Sequence, residues 1–171
     1  RPCGELDIET LVTQANVYIN MRPSEFQGAL NVIQVQTISD EKIISSLAIV
    51  MAALARTTQE SNGEAQHLNA TQIMAVLSML RSSQNSQHLM AQMDTGEGKS
   101  RTTMTLAAVQ ALLGCTPDFI TTSNLLAERD YLDYKQFFQA LGIPTALITE
   151  DTPESGYLTA QGSVNFSTMA T

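Results

Sequence analysis

The residues best suited to chemistry lie together in Met93-Asp94-Thr95-Gly96-Glu97-Gly98-Lys99-Ser100. Glycines at this spacing let backbone N–H groups curl around a polyphosphate. A lysine reaches the β- and γ-phosphates, and a following hydroxyl ligates Mg²⁺. A helix opening at Lys99 would add the positive end of its dipole to the same anion site. The stretch therefore reads as a phosphate-binding loop, with Met93 standing where the general pattern has a glycine.

Such a loop needs a strand to enter it and a helix to leave it. The short apolar run 88–93 is expected to be that strand, and 99–113 the helix, stopped by Gly114. Beyond it, 117–122 reads as a strand. Ser123 and Asn124 can cap a helix over 125–141 with apolar positions Leu125, Leu132, Phe137, Phe138 and Leu141. Residues 144–149 form another strand, 151–156 a loop, and 163–168 a last strand in which Val164 and Phe166 alternate with polar neighbours. Strand–helix alternation of this kind implies an α/β fold with an open parallel sheet, flanked by helices, that binds ligands at the carboxyl ends of its strands.

Upstream, the periodicity is helical. Leu11, Val12, Ala15, Tyr18 and Met21 share one face, Pro23 breaks the run, and Phe26, Leu30 and Ile33 begin a second amphipathic helix. Ser39-Asp40 is an N-cap signal ahead of Ile43, Ile44, Leu47, Val50, Met51 and Leu54, with Arg56 placed for the helix C-terminus. The polar stretch 57–64, containing Asn62-Gly63, reads as a loop. Another helix starts near Asn69 or Thr71, and the polar run 81–87 is a surface connection. The expected organisation is an α-helical N-terminal extension, 1–38, followed by a nucleotide-binding lobe, 39–171.

Composition narrows the function classes. With 43% hydrophobic and 15% charged residues in 171, the chain can bury a core and is not a disordered tail. A formal charge of −8 argues against a nucleic-acid groove, which needs clustered Lys and Arg. Cys3 and Cys115 are far apart and lack companions at metal-ligand spacing, so two reduced thiols in a cytoplasmic protein are expected. The apolar stretch 43–55 is too short to span a bilayer.

Several segments, in order, resemble the SecA motor ATPases of bacterial protein export. The run from Ala91 to Ser100 is similar to that family's loop, which also carries Met in place of the first glycine. Thr121-Thr122-Ser123-Asn124-Leu125-Leu126-Ala127-Glu128-Arg129-Asp130 looks like its T-V-N-D-Y-L-A-x-R-D segment, and Phe137 to Gly142 like F-x-x-L-G. Ala70-Thr71-Gln72 lies where the family has D-V-Q, residues 47–56 resemble the helix before it, and Val164 to Thr168 the strand I-T-Y-G-T. The resemblance covers about residues 40–171 and implies a P-loop NTPase fold of the RecA or helicase-like type, in which 39–171 is a partial lobe ending before the acidic Walker B motif.

It also implies site residues. Thr95, Gly96, Glu97, Gly98, Lys99, Ser100 and Arg101 would surround the phosphates of ATP or ADP, Ser100 would ligate Mg²⁺, and Gln72 would read the adenine edge or else simply cap its helix. Arg129 and Asp130 would belong to a segment coupling the nucleotide to the rest of the motor, or else form a solvated helix face. Hydrolysis needs an acidic pair after a further apolar strand and an arginine from a second lobe. No apolar strand ending in Asp-Glu precedes Thr171, so no catalytic residue is assigned, and this piece is expected to bind nucleotide without turning it over. The implied partners are a polypeptide substrate and the remaining motor domains, with no nucleic acid, and with peripheral membrane contact only through a longer parent chain.

This sequence departs from the family at three places: Asp94 where Lys or Arg is usual, Ala70 in place of the D-V-Q aspartate, and Ser100-Arg101 in place of Thr-Leu. An acidic residue beside a polyphosphate weakens anion binding unless it turns away or helps hold Mg²⁺. The alternative expectation is accordingly an inactive SecA-like scaffold or interaction module, such as a secreted bacterial effector acting in a host cell. A nucleic-acid helicase is the third reading.

Overall fold

The computed structural model describes residues 8–84, 90–94, 96–152 and 156–169. Helices α1 (Ile8–Ile19) and α2 (Pro23–Val35) form at the expected places and bury the expected positions: Leu11 and Ala15 from the first, Phe26, Leu30 and Ile33 from the second. Pro23 opens α2, where its missing N–H costs nothing. The Glu25 carboxylate accepts from the Arg22 backbone N–H and guanidinium, which closes a capping box and holds the carboxyl below the usual range.

Both helices pack on α3 (Asp40–Asn62), capped by the Ser39 hydroxyl, which accepts from the Lys42 N–H. The sequence marks one apolar stripe on this helix, yet every residue from Ser46 to Ala55 is buried, including Ala48, Ala52, Ala53 and Ala55 between the stripe positions. These alanines allow neighbours to approach on all sides; α1, α2, α6 and the helix after the glycine-lysine loop all touch α3. The helix also outruns its expected end. Thr57, Thr58 and Ser61 return their hydroxyls to carbonyls three and four residues back, so the polar stretch stays helical until Gly63, whose φ of 79° ends it.

Arg56, expected to serve the end of its own helix, does a different job. Its guanidinium donates to the carbonyls of Tyr18 and Met21 and lies 4.8 Å from the centre of the Phe26 ring. It thus donates to carbonyls at and just beyond the end of α1 and stacks on α2. Lys42 is buried and donates to the carbonyls of Gln34 and Gln36 at the end of α2.

Then follow α4 (Ala70–Gln84), which runs into the polar stretch expected to be a connection, and α5 (Lys99–Leu112). The rest is β1 (Asp118–Thr121), α6 (Asn124–Ala140), β2 (Thr145–Leu147) and β3 (Val164–Thr168). The three strands make a parallel sheet in the order β1-β3-β2, with Asp118 opposite Asn165 and Thr145 opposite Val164. The mixed α/β architecture and the parallel sheet match expectation. The strand expected to enter the glycine-lysine loop does not: His88 and Leu89 lie outside the described residues, while 90–94 carry no strand and Met90 is exposed. Met, Ala and Gln in this run have little preference for a pleated strand, and its apolarity alone misleads.

The central strand is buried on both faces. Phe166 meets Phe119, Tyr131 and Phe138 at ring-centre distances of 5.5, 5.6 and 5.9 Å. Of the apolar positions noted in the α6 sequence, Leu125 and Leu132 are exposed, whereas Phe137, Phe138 and Leu141 are buried. Asn165, expected to alternate outward, is fully buried. Its side chain donates to Asp118 Oδ1 and to the Leu158 carbonyl, and accepts from the Leu158 N–H. Tyr157 donates to the same Asp118 oxygen, which pushes its phenol above the ordinary value. This clamp ties the loop before β3 to the start of β1.

Replacing Phe166 by Ala removes the ring that packs β3 against Phe119 of β1 and against Tyr131 and Phe138 of α6, and denaturant unfolding should show a loss of about 3–5 kcal/mol. The raised Tyr157 phenol gives a pH signature. Below its ordinary value near 10 it is protonated in both states; above that, the unfolded chain loses its proton first, so stability falls as pH rises. Denaturation midpoints between pH 9 and 11 should fall less steeply for Tyr157→Phe than for the wild-type chain.

Candidate functional site

The glycine-lysine loop leads directly into α5. Gly98 is the N-cap residue, with φ 75° and ψ 40°, and no side chain caps the helix. Only the Thr102 N–H, which donates to the Gly98 carbonyl, begins the intrahelical ladder. The N–H groups of Lys99, Ser100 and Arg101 therefore have no intrahelical acceptor. Gly96 is also left-handed, with φ 91°, and the Glu97 N–H donates to the Asp94 carbonyl to close a turn. Gly96, Glu97 and Lys99 are exposed, Gly98 and Ser100 half-buried. Thr95 lies outside the described residues.

Gln72 comes to this loop from α4. It is 3% exposed and makes two kinds of contact. With Asn69 it forms a reciprocal cap: Asn69 Oδ1 accepts from the Gln72 N–H, and Gln72 Oε1 accepts from the Asn69 N–H, at 2.8 and 3.0 Å. Its Nε2 donates to the Glu97 carbonyl at 2.8 Å. A Cβ added to Gly98 would overlap this Nε2, so the position requires glycine for its left-handed backbone and for the closeness of Gln72.

Arg101 turns away from the loop mouth and donates to Gln66 Oε1 at 2.6 Å, which anchors the first turn of α5 to the segment before α4. Gln66 is itself held by α3, its N–H donating to the Thr58 hydroxyl. Asp94 is exposed beside the turn. Arg129 and Asp130 sit on α6 as a neighbouring ion pair at 2.6 Å; Asp130 is buried, and it pushes the exposed Arg129 guanidinium up. The structure thus gathers Gln72, Gly96, Glu97, Gly98, Lys99, Ser100 and Arg101 about one helix start. Behind them, Asn69 caps α4 and Gln66 holds Arg101. The Asn69-x-x-Gln72 spacing signals the first, whereas nothing in the sequence signals the second.

A cleft of about 590 Å³ lies elsewhere, between the end of α3 and the middle of α6, lined by residues such as Thr58, Gln66, Tyr134 and Phe137. It contains none of the loop glycines. Among the described residues no group of three or more His, Cys, Asp and Glu gathers as a metal site, and no helix is long and apolar enough to cross a membrane.

The α5 helix packs against α4 and α3 and touches β3. Its far end is fastened to the start of β3, where the Gly162 N–H donates to the Cys115 carbonyl. Its first turn therefore lies about 20 Å along the helix from that junction, on the side away from the beginning of the central strand.

A family model of the SecA DEAD-like domain matches residues 7–160. The chain belongs to this family. Curated relatives include protein translocase subunit SecA 3 of Magnetococcus marinus, 40% identical over 72 residues, which are 40% of this chain and 11% of that protein. Protein translocase subunit SecA 2 of Staphylococcus epidermidis is 40% identical over 67 residues, 39% of this chain and 8% of that protein. The SecA 2 subunit of Bordetella avium is 38% identical over 65 residues, 38% of this chain and 10% of that protein. The aligned parts are thus a small fraction of each relative's length. In this SecA DEAD-like domain, Gly98→Ala should displace Gln72. Amide exchange at Thr102 should quicken, and stability should fall by about 1–2 kcal/mol for the left-handed backbone alone.

Proposed function

We propose that the loop binds the phosphates of ATP or ADP, as part of the first nucleotide-binding lobe of a SecA-type motor that moves or remodels polypeptide. One observation carries the reading: a left-handed glycine N-cap without a side-chain cap, followed at once by Lys99 and Ser100 at the start of α5. Open N–H groups, the positive helix end and a lysine converge there, a combination suited to a phosphate. Gly96 and Gly98 give the backbone room, Lys99 supplies the charge, and Thr95, Glu97 and Arg101 complete the loop in sequence.

The donors also suit Mg²⁺. A hydroxyl at Ser100 together with phosphate oxygens is the hard-oxygen set this ion takes, and the ion would neutralise charge on the phosphates. Gln72 keeps a second amide N–H that could meet a purine edge while the first holds Glu97. Hydrolysis calls for an acidic pair and an arginine in addition to these groups. The rest of a motor and its polypeptide substrate would be the partners, in a cytoplasmic setting, with the −8 charge disfavouring nucleic acid.

A second reading rests on Asp94 and Glu97, both exposed at the loop. Two carboxylates beside one lysine suit a domain that keeps the fold as an interaction scaffold. Calorimetric titration of the chain with Mg-ATP and Mg-ADP separates the two. Binding that weakens roughly tenfold to a hundredfold in Lys99→Ala, the equivalent of about 1.5–3 kcal/mol for a charged hydrogen bond, is the expected result. A well-folded wild-type chain that gives no heat with either nucleotide would favour the scaffold.

A further inference from the structure

We infer that Gln72 is a positioning residue for the phosphate loop: its amide holds the Glu97 carbonyl so that the Gly98 N–H is presented to the anion. The inference rests on the nucleotide reading above and assigns Gln72, through its first amide N–H, a role that needs no base and adds to any contact the second N–H makes with one.

The Glu97–Gly98 peptide is trans, as are all the described peptide bonds, so its C=O and N–H point in opposite directions. Gln72 Nε2 takes the carbonyl at 2.8 Å from the α4 side. The Gly98 N–H must then face away from Gln72. A peptide turned over would bring an N–H against the Gln72 donor and aim a carbonyl oxygen at the incoming phosphates, which repels them. A single hydrogen bond therefore decides whether this position attracts an anion or opposes it.

Gln72 is well built for that task, because its own orientation is fixed. Oε1 is engaged by the Asn69 N–H at 3.0 Å, so the amide nitrogen is the end left to face the loop. At 3% exposure the Gln72 side chain is itself held out of water, which strengthens the bond its amide makes. Gly98 has no side chain to push the amide away, and Gln72 occupies the space where one would stand. The same glutamine thus caps α4 through one atom and sets the loop through another.

The experiment separates loop positioning from base reading and from helix capping. Magnesium tripolyphosphate, Mg-ATP and Mg-GTP are titrated calorimetrically into the wild-type chain, Gln72→Ala and Asn69→Ala. Amide exchange at Thr102, whose N–H bonds the Gly98 carbonyl, is followed without ligand. The expected result is that Gln72→Ala weakens all three ligands, the base-free tripolyphosphate included, by about tenfold or more, and speeds Thr102 exchange. Asn69→Ala should lower the melting temperature yet bind all three within about twofold of wild type, because the Gln72–Glu97 bond survives.

Weakening of ATP alone in Gln72→Ala would make Gln72 a base reader and overturn the inference. Equal weakening in Asn69→Ala would reduce it to a helix cap, and unchanged affinities in Gln72→Ala would remove it altogether. A wild-type chain that binds none of the three ligands would refute the nucleotide reading itself. The exchange measurement then decides about Gln72 alone: faster Thr102 exchange confined to Gln72→Ala supports loop setting, and unchanged exchange overturns it.

Discussion

A helix that must be dry on every side governs this fold. From Ser46 to Ala55 every residue of α3 is buried, and the elements around it are arranged to keep it so. The first two helices cover one flank, α5 and α6 another, and the sheet lies beyond them. Closing these flanks brings helix ends into the interior, where their carbonyls need donors. Two cations meet that need: Arg56 at the end of α1, and Lys42 at the end of α2. Charge is used here to finish helices, so a protein poor in Lys and Arg commits part of its small supply to its own framework.

The glycine-lysine loop inherits its geometry from the same packing. Helix α4 packs on α5 and presents Gln72 to the Glu97 carbonyl, while α3, through Thr58 and Gln66, steadies Arg101. Neither contact lies at the exposed mouth. The loop is shaped from behind by the buried amide of Gln72 and the half-buried amide of Gln66, and its front is left to Lys99, Ser100 and open N–H groups.

Much of this was legible in the sequence where one physical signal acts alone. The apolar spacing of Leu11 and Ala15, and of Phe26, Leu30 and Ile33, gave two helices, and Ser39 and Ser123 gave two caps. The parallel sheet followed from strand–helix alternation. Legibility failed where a residue's role depends on a distant partner. Thr57, Thr58 and Ser61 look like loop residues until their hydroxyls find carbonyls within the helix. Asn165 looks like an outward position until Asp118 and Leu158 surround it, and Arg101 does not name Gln66. The run before the loop failed for the opposite reason, because its apolar residues carried no preference for a strand. At the loop itself, residue types announced the glycines and the lysine, whereas the bond that orients the peptide appeared only in three dimensions.

The sideways turn of Arg101 alters how a polyphosphate would reach the loop. With that guanidinium held by Gln66, Lys99 is left as the exposed loop cation beside Asp94 and Glu97, on a chain whose formal charge is −8. The long-range field then repels a polyanion, and attraction begins only within hydrogen-bonding distance. Arrival would then be a matter of chance encounter rather than guidance. Added salt, which slows association at a guided site, would here screen a repulsion and leave the capture rate unchanged or faster.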